Sequence, residues 1–87
     1  NITNKKLVVR GRLREIKQKG TISEYNDRFS ELCSQAGEIA DTEALSYYLY
    51  GLNDQIAQLV RSRGPTTLLE AMREAITLDV NNGPRTI

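Results

Sequence analysis

Histidine and tryptophan are missing from this 87-residue chain, cysteine and methionine occur once each, and proline occurs twice. Each shortage excludes something. With Cys33 alone, no intramolecular disulfide can form. Without histidine, the Cys/His zinc sites and the commonest general base are gone. A single thiol fits a reducing, intracellular setting. No run of about twenty apolar residues occurs, and no charged-then-apolar leader is seen, so neither a membrane span nor a signal peptide is read here. The chain opens on Asn1 rather than methionine, as expected of a piece of something longer.

At this length a single domain buries only about 60 to 65% of the surface that its unfolded chain exposes, so modest stability is expected. Oligomerisation would help such a domain. The net charge is only +1, but it is unevenly spread. Lys5, Lys6, Arg10, Arg12, Arg14, Lys17 and Lys19 face Glu15 alone in the first twenty residues, a net of +6, and the remainder carries −5. Such asymmetry marks a nucleic-acid arm or a complementary contact between subunits, and its bland counterpart is a solvated helix face.

The remaining pattern is helical. Gly20, Gly37, Gly51 and Gly64 each follow a stretch with helical apolar spacing and are expected to supply the left-handed residue past a helix end. They divide the chain into five helices. The first spans about Lys5 to Lys19, with Val9, Leu13 and Ile16 on one stripe and Gly11 weakening it by about 1 kcal/mol relative to alanine. Thr21 and Glu24 form a capping box for the second, whose inward stripe is Ile22, Tyr25, Phe29, Leu32 and Cys33. Asp41 or Thr42 caps a short third helix that directs Leu45, Tyr48, Leu49 and Leu52 inward. Asn53 or Asp54 starts the fourth, with Ile56, Leu59 and Val60 as its apolar face, and Pro65 closes the connection that follows. Thr67 and Glu70 form a second capping box, for a fifth helix in which Leu68, Met72, Ala75, Ile76 and Leu78 or Asp79 to Val80 decide the burial pattern. Asn81-Asn82-Gly83-Pro84 is a stop signal, so residues 1–80 form the domain and 81–87 a tail or linker. Strand alternation, fixed-period repeats and low-complexity tracts are absent. The expected class is all-α, a compact five-helix bundle.

The residues of catalysis are poorly represented. Cys33 sits on an inward stripe, where it reads as a small buried hydrophobe. Asp27 and Glu31 lie four apart on one helix face, the ordinary arrangement of solvated carboxylates. No glycine loop leads into a lysine and a serine or threonine at a helix start, so a phosphate cradle is absent. No active site is read, and no cofactor or metal is implied.

Three motifs in order carry more. Gln18-Lys19-Gly20 precedes a helix bearing Glu24-Tyr25-Asn26-Asp27-Arg28-Phe29. Tyr48-x-x-Gly51-Leu52 is followed by Ile56 and Val60, and Gly64-Pro65-Thr66-Thr67-Leu68-Leu69-Glu70-Ala71-Met72 comes last. This series resembles the C-terminal capsid domain of Gag proteins, in particular those of Ty3/gypsy-like long-terminal-repeat retrotransposons and of host genes descended from them. Gln18, Gly20, Tyr25, Arg28 and Phe29 match the major homology region. There, polar side chains such as Gln18 and Arg28 are expected to bond buried backbone across the turn while Tyr25 and Phe29 fill the core. Retroviral versions carry a glutamate in a longer loop, where this chain has Thr21 and Ser23, so the retrotransposon branch fits better.

The resemblance implies a fold like the retroviral capsid C-terminal domain and a structural role in self-association and shell assembly. The place would be virus-like particles in the cytoplasm. It also implies no enzyme activity. Partners would be a second copy, higher-order assemblies and the N-terminal capsid domain of the same polyprotein, with RNA contact weak. In such domains the helix after the major homology region carries the two-fold contact. With Leu45, Tyr48 and Leu49 inward, helical geometry turns Ala44, Tyr47 and Tyr50 outward as candidate interface residues. Two alternatives are a nucleic-acid module using Lys5, Lys6, Arg10, Arg12, Arg14, Lys17 and Lys19, and a domesticated peptide-binding adaptor. Against the first, no aromatic lies among those basic residues in the sequence.

Overall fold

Thr21 opens the best-defined helix. Its hydroxyl accepts from the Glu24 N–H and the Glu24 carboxylate accepts from the Thr21 N–H, each at 3.1 Å, closing the expected capping box. The computed structural model describes residues 2–82, and side chains from 7 to 79. It contains α1 Ile2–Glu15, α2 Ile22–Ala36, α3 Asp41–Gly51, α4 Asp54–Arg63 and α5 Leu68–Asn82, and no strand among the described residues. The all-α bundle of five helices is therefore the fold. Helix α5 runs two residues past the expected stop, and residues 83–87 lie outside the described residues.

Helix α1 packs on α2 and α3, α5 covers α2, α3 and α4, and α3 also touches α4. The core they enclose centres on three rings. Tyr25 and Phe29 of α2 and Tyr48 of α3 lie with centroids 5.2 to 6.0 Å apart, and Phe29 meets Tyr48 edge-on at 83°. Such pairs add about 0.5 to 1.5 kcal/mol each beyond simple burial. Asn26 is buried beside them. Its side-chain oxygen accepts from the Tyr48 hydroxyl, and its amide donates to the Met72 carbonyl at 3.4 Å. The Tyr25 hydroxyl donates to the Tyr48 carbonyl at 2.8 Å. No buried side-chain nitrogen or oxygen is left without a partner among the described residues.

Several expected faces turn out otherwise. Helix α1 stops at Glu15, because residues 16 to 20 leave the helix to pair with the end of α3: the Gln18 N–H donates to the Gly51 carbonyl at 2.8 Å. Gly64 does adopt the left-handed conformation, at φ 66°, and Gly37 has a positive φ of 77° with a different ψ. Gly20 and Gly51 have no positive φ, and Gly51 is required for another reason: a β-carbon there would overlap the Ile16 carbonyl oxygen. Leu59, expected inward, is 38% exposed, and Ile76, one of the residues that decide the burial of the fifth helix, is 45% exposed, while Ala57 and Ala71 take the buried places. Small residues win these positions because α4 and α5 pack closely on each other.

The helix starts near Asp41 are also rearranged. The N-cap of α3 is Ala40, which makes no side-chain cap, and Asp41 is the first helical residue. Its carboxylate instead accepts from the Leu68 N–H at 2.9 Å, at the first residue of α5. One negative charge thus serves the positive ends of two helices. At α5 the Thr67 hydroxyl accepts from the Glu70 N–H at 3.1 Å, but the Glu70 carboxylate returns to Thr66, accepting from its N–H at 2.8 Å and its hydroxyl at 3.0 Å. These bonds hold the Glu70 carboxyl below its ordinary range.

Candidate functional site

Helices α1 and α3 run side by side in one direction, and their outer residues meet in a constant register. Arg10 donates to the Glu43 carboxylate at 3.3 Å, and the Lys17 ammonium stands 4.7 Å from the Tyr50 ring centroid. Between these rungs Arg14 lies beside Tyr47, and beyond them Gln18 pairs with Gly51. Every rung joins residues thirty-three apart, so one parallel seam carries them all.

The upper rung is tied down further. Arg10 also donates to the Glu38 carbonyl at 2.9 Å, and Glu43 accepts from the Tyr47 hydroxyl at 2.7 Å. That bond to a carboxylate raises the Tyr47 hydroxyl above its ordinary range, helped by partial burial and opposed by Arg14 and Arg10. Tyr47 is therefore a half-buried ring with an anchored hydroxyl. Tyr50, one turn on, is 66% exposed. Together with Arg14 and Ser46 the two rings line a shallow depression of ≈ 440 Å³.

Of the candidate interface residues, Tyr47 and Tyr50 are thus brought together on one face, but Ala44 is not part of it. Ala44 is only 2% exposed, whereas Leu45 and Leu49 are half-buried. Because α3 is flanked by α1, α4 and α5, its buried arc is wide and is centred on Ala44, Tyr48 and Gly51. Small residues at 44 and 51 are what allow the neighbouring helices to approach.

Gln18, Gly20, Tyr25 and Phe29 come together around the turn before α2. The Gln18 side chain donates to the Gly20 carbonyl at 2.9 Å and accepts from the Asn53 N–H at 3.0 Å, clasping this turn to the junction between α3 and α4. Asn53 in turn caps α4. Arg28 differs from expectation: it is exposed and makes no hydrogen bond or ion pair among the described residues, neither to backbone nor to Glu24 or Glu31. Tyr25 carries out the bond to buried backbone instead, because its hydroxyl reaches the last turn of α3. Burial raises both the Tyr25 and the Tyr48 hydroxyls well above the ordinary tyrosine range.

The basic residues do not form one arm. Arg10 is neutralised by Glu43, Lys17 is engaged with Tyr50, and Arg12, Arg14 and Lys19 are exposed. The side chains of Lys5 and Lys6 lie outside the described residues. Cys33 is half-buried, with its thiol raised first by burial and then by the Asp41 charge. Among the described residues no three metal-type side chains cluster, and no helix is long and apolar enough to cross a membrane.

Four residues that make these contacts are not marked out by the sequence motifs. Asn26 occupies the i+4 slot of the stripe that starts at Ile22, and Glu43 stands one helical turn before Tyr47, so both were detectable by spacing. Asp41 as a bridge and Arg61 beside Tyr50 depend on which helices become neighbours. No local pattern marks them.

An all-α globule of five helices, with a glutamine-clasped turn before α2 and an aromatic seam on α3, is consistent with a capsid-like domain. The family described as PEG10/RTL1, C-terminal capsid-like domain, matches residues 10–81, and the chain belongs to it, a Gag-derived domain of Ty3/gypsy descent. Among curated proteins and among solved structures nothing matches significantly.

Proposed function

We propose that this domain works by self-association, as a building unit of Gag-like shells in a Ty3/gypsy-like retrotransposon or in a host gene descended from one. The observation that carries this reading is Tyr50, a large ring two-thirds exposed beside the anchored Tyr47 on the outer face of α3. Tyrosine is favoured at protein contacts because it brings apolar area and a polar tip with little conformational freedom to lose. A small patch of this kind suits pairing across a two-fold axis. Each contact is weak, and many copies in one lattice make it effective by raising the local concentration of partners.

In this role the domain carries out no catalysis. Its partners are a second copy of itself and the N-terminal capsid domain of the same polyprotein, within virus-like particles in the cytoplasm. Sedimentation equilibrium over a wide concentration range tests the reading. Tyr47→Ala combined with Tyr50→Ala should weaken association while leaving helicity and melting nearly unchanged. Equal association of variant and wild type would place the contact elsewhere.

A further inference from the structure

Three shallow depressions share walls along one side of the molecule. Lys17 lines one at the α1–α2 turn with Lys19 and Arg28, and also one beside α4 with Tyr50 and Arg61. Tyr50 in turn borders the third, with Arg14. Five cations from α1, the turn, α2 and α4 therefore line adjoining depressions, two of which share the exposed Tyr50 ring, where the Lys17 ammonium stands over one face at 4.7 Å and leaves the other for a ligand. None of the five is in an ion pair among the described residues, where Arg10 pairs with Glu43 and Arg63 with Glu74. Two acids stand on the same walls, Glu24 and Asp54, and the Glu24 carboxylate is already occupied by the Thr21 N–H.

We propose that this track binds single-stranded nucleic acid, with phosphates on the cations and a base stacked on Tyr50. Sequence-indifferent single-strand sites combine a positive groove with an aromatic platform, and both parts are present here. A duplex would offer the phosphates but keep its base faces stacked away from the ring. An acidic protein surface would match the cations but brings no flat base face to stack on the exposed ring. The basic segment before Gly20 contains no aromatic residue. Folding supplies one from α3 and adds Arg28 and Arg61, so the site exists only in the folded chain.

Fluorescence anisotropy with a labelled oligouridylate of about 12 nucleotides tests this, with the fold of each variant checked by circular dichroism. Affinity should fall with salt, and Lys19→Ala with Arg61→Ala should lower the log–log slope by about 1.4, roughly 0.7 for each phosphate no longer neutralised. Tyr50→Ala should weaken binding about five-fold or more, and Tyr50→Phe should not, because the ring alone stacks. Glu43→Ala separates this site from the self-association face: Glu43 lines none of the three depressions, so the variant should weaken self-association without weakening oligonucleotide binding. Unaltered binding by Tyr50→Ala, or tighter binding to duplex than to single strand, would overturn the proposal. Loss of self-association in the Lys19 and Arg61 variant without loss of oligonucleotide binding would overturn it too, and would assign the track to a second copy of the chain.

Discussion

Gly51 packs its backbone directly against the carbonyl of Ile16, leaving no room between α3 and the end of α1 for a side chain. A β-carbon at Gly51 would overlap that oxygen and press on the Tyr25 hydroxyl as well. Neither neighbour can yield cheaply, since one is backbone and the other is bonded to the Tyr48 carbonyl. Gly51→Ala should therefore cost about 2 to 3 kcal/mol in a urea melt. Gly64→Ala has open space around it and should cost only the left-handed backbone strain, about 1 to 2 kcal/mol. A smaller loss at Gly51 than at Gly64 would show that α1 and α3 can move apart at little cost.

Asp41 links helices that are distant in sequence. Its carboxylate accepts from the Leu68 N–H and lies at the N-terminal ends of both α3 and α5. Asp41→Ala should cost about 1 to 2 kcal/mol, from the missing charge-assisted hydrogen bond and the missing interaction with two helix dipoles. Hydrogen exchange reads the effect locally. The Leu68 amide should lose protection in the variant, while amides in the middle of α2 change only as much as global stability does.

The core of this fold was legible because its pattern is local. Tyr25 and Phe29 repeat with helical spacing behind a capping box, and the structure buries both. Tyr48 could be placed inward in the same way. What escaped depends on neighbours that the spacing does not identify. Ala44 reads as neutral on a helix wheel, and it faces inward because flanking helices come close on that side. The clasp of Gln18 on Asn53 joins segments thirty-five residues apart, and the approach of Arg61 to Tyr50 joins two successive helices whose angle no local pattern sets. The tyrosine face was half legible for this reason: Tyr47 and Tyr50 were identified from α3 alone, and their cationic surroundings were not.

Alkaline pH should unfold the chain through Tyr25 and Tyr48. Burial holds both hydroxyls above the ordinary value of 10.0, so the unfolded chain ionises first. Stability is then full below about pH 10 and falls as pH rises beyond it. In an absorbance titration, the ionisation of these two tyrosines should coincide with loss of helical ellipticity. At neutral pH, Tyr48→Phe should cost about 1 to 3 kcal/mol, because it leaves the buried Asn26 oxygen without its donor. Reversible ionisation of all four tyrosines with the helices intact would contradict this packing.

Glu43 provides the most direct link between the fold and the association face. Its carboxylate receives the Arg10 guanidinium and the Tyr47 hydroxyl, and so fixes one of the two rings of that face from behind. The pair with Arg10 is about one-third exposed on each side, so its own contribution to stability is small, about 0 to 1 kcal/mol. Its effect on Tyr47 is positional. Glu43→Ala removes both bonds and lets the ring sample other rotamers, which then have to be given up when two copies pair. Ordering one such side chain costs about 0.5 to 1.5 kcal/mol, and a symmetric contact contains two of them. Self-association of Glu43→Ala should accordingly weaken by about five-fold or more in sedimentation equilibrium, with little change in melting temperature. Tyr47→Phe keeps the ring but loses the same bond, so it should weaken association to a similar degree, and adding Glu43→Ala to it should have little further effect. Fully additive losses would mean that Glu43 acts on association by some route other than Tyr47.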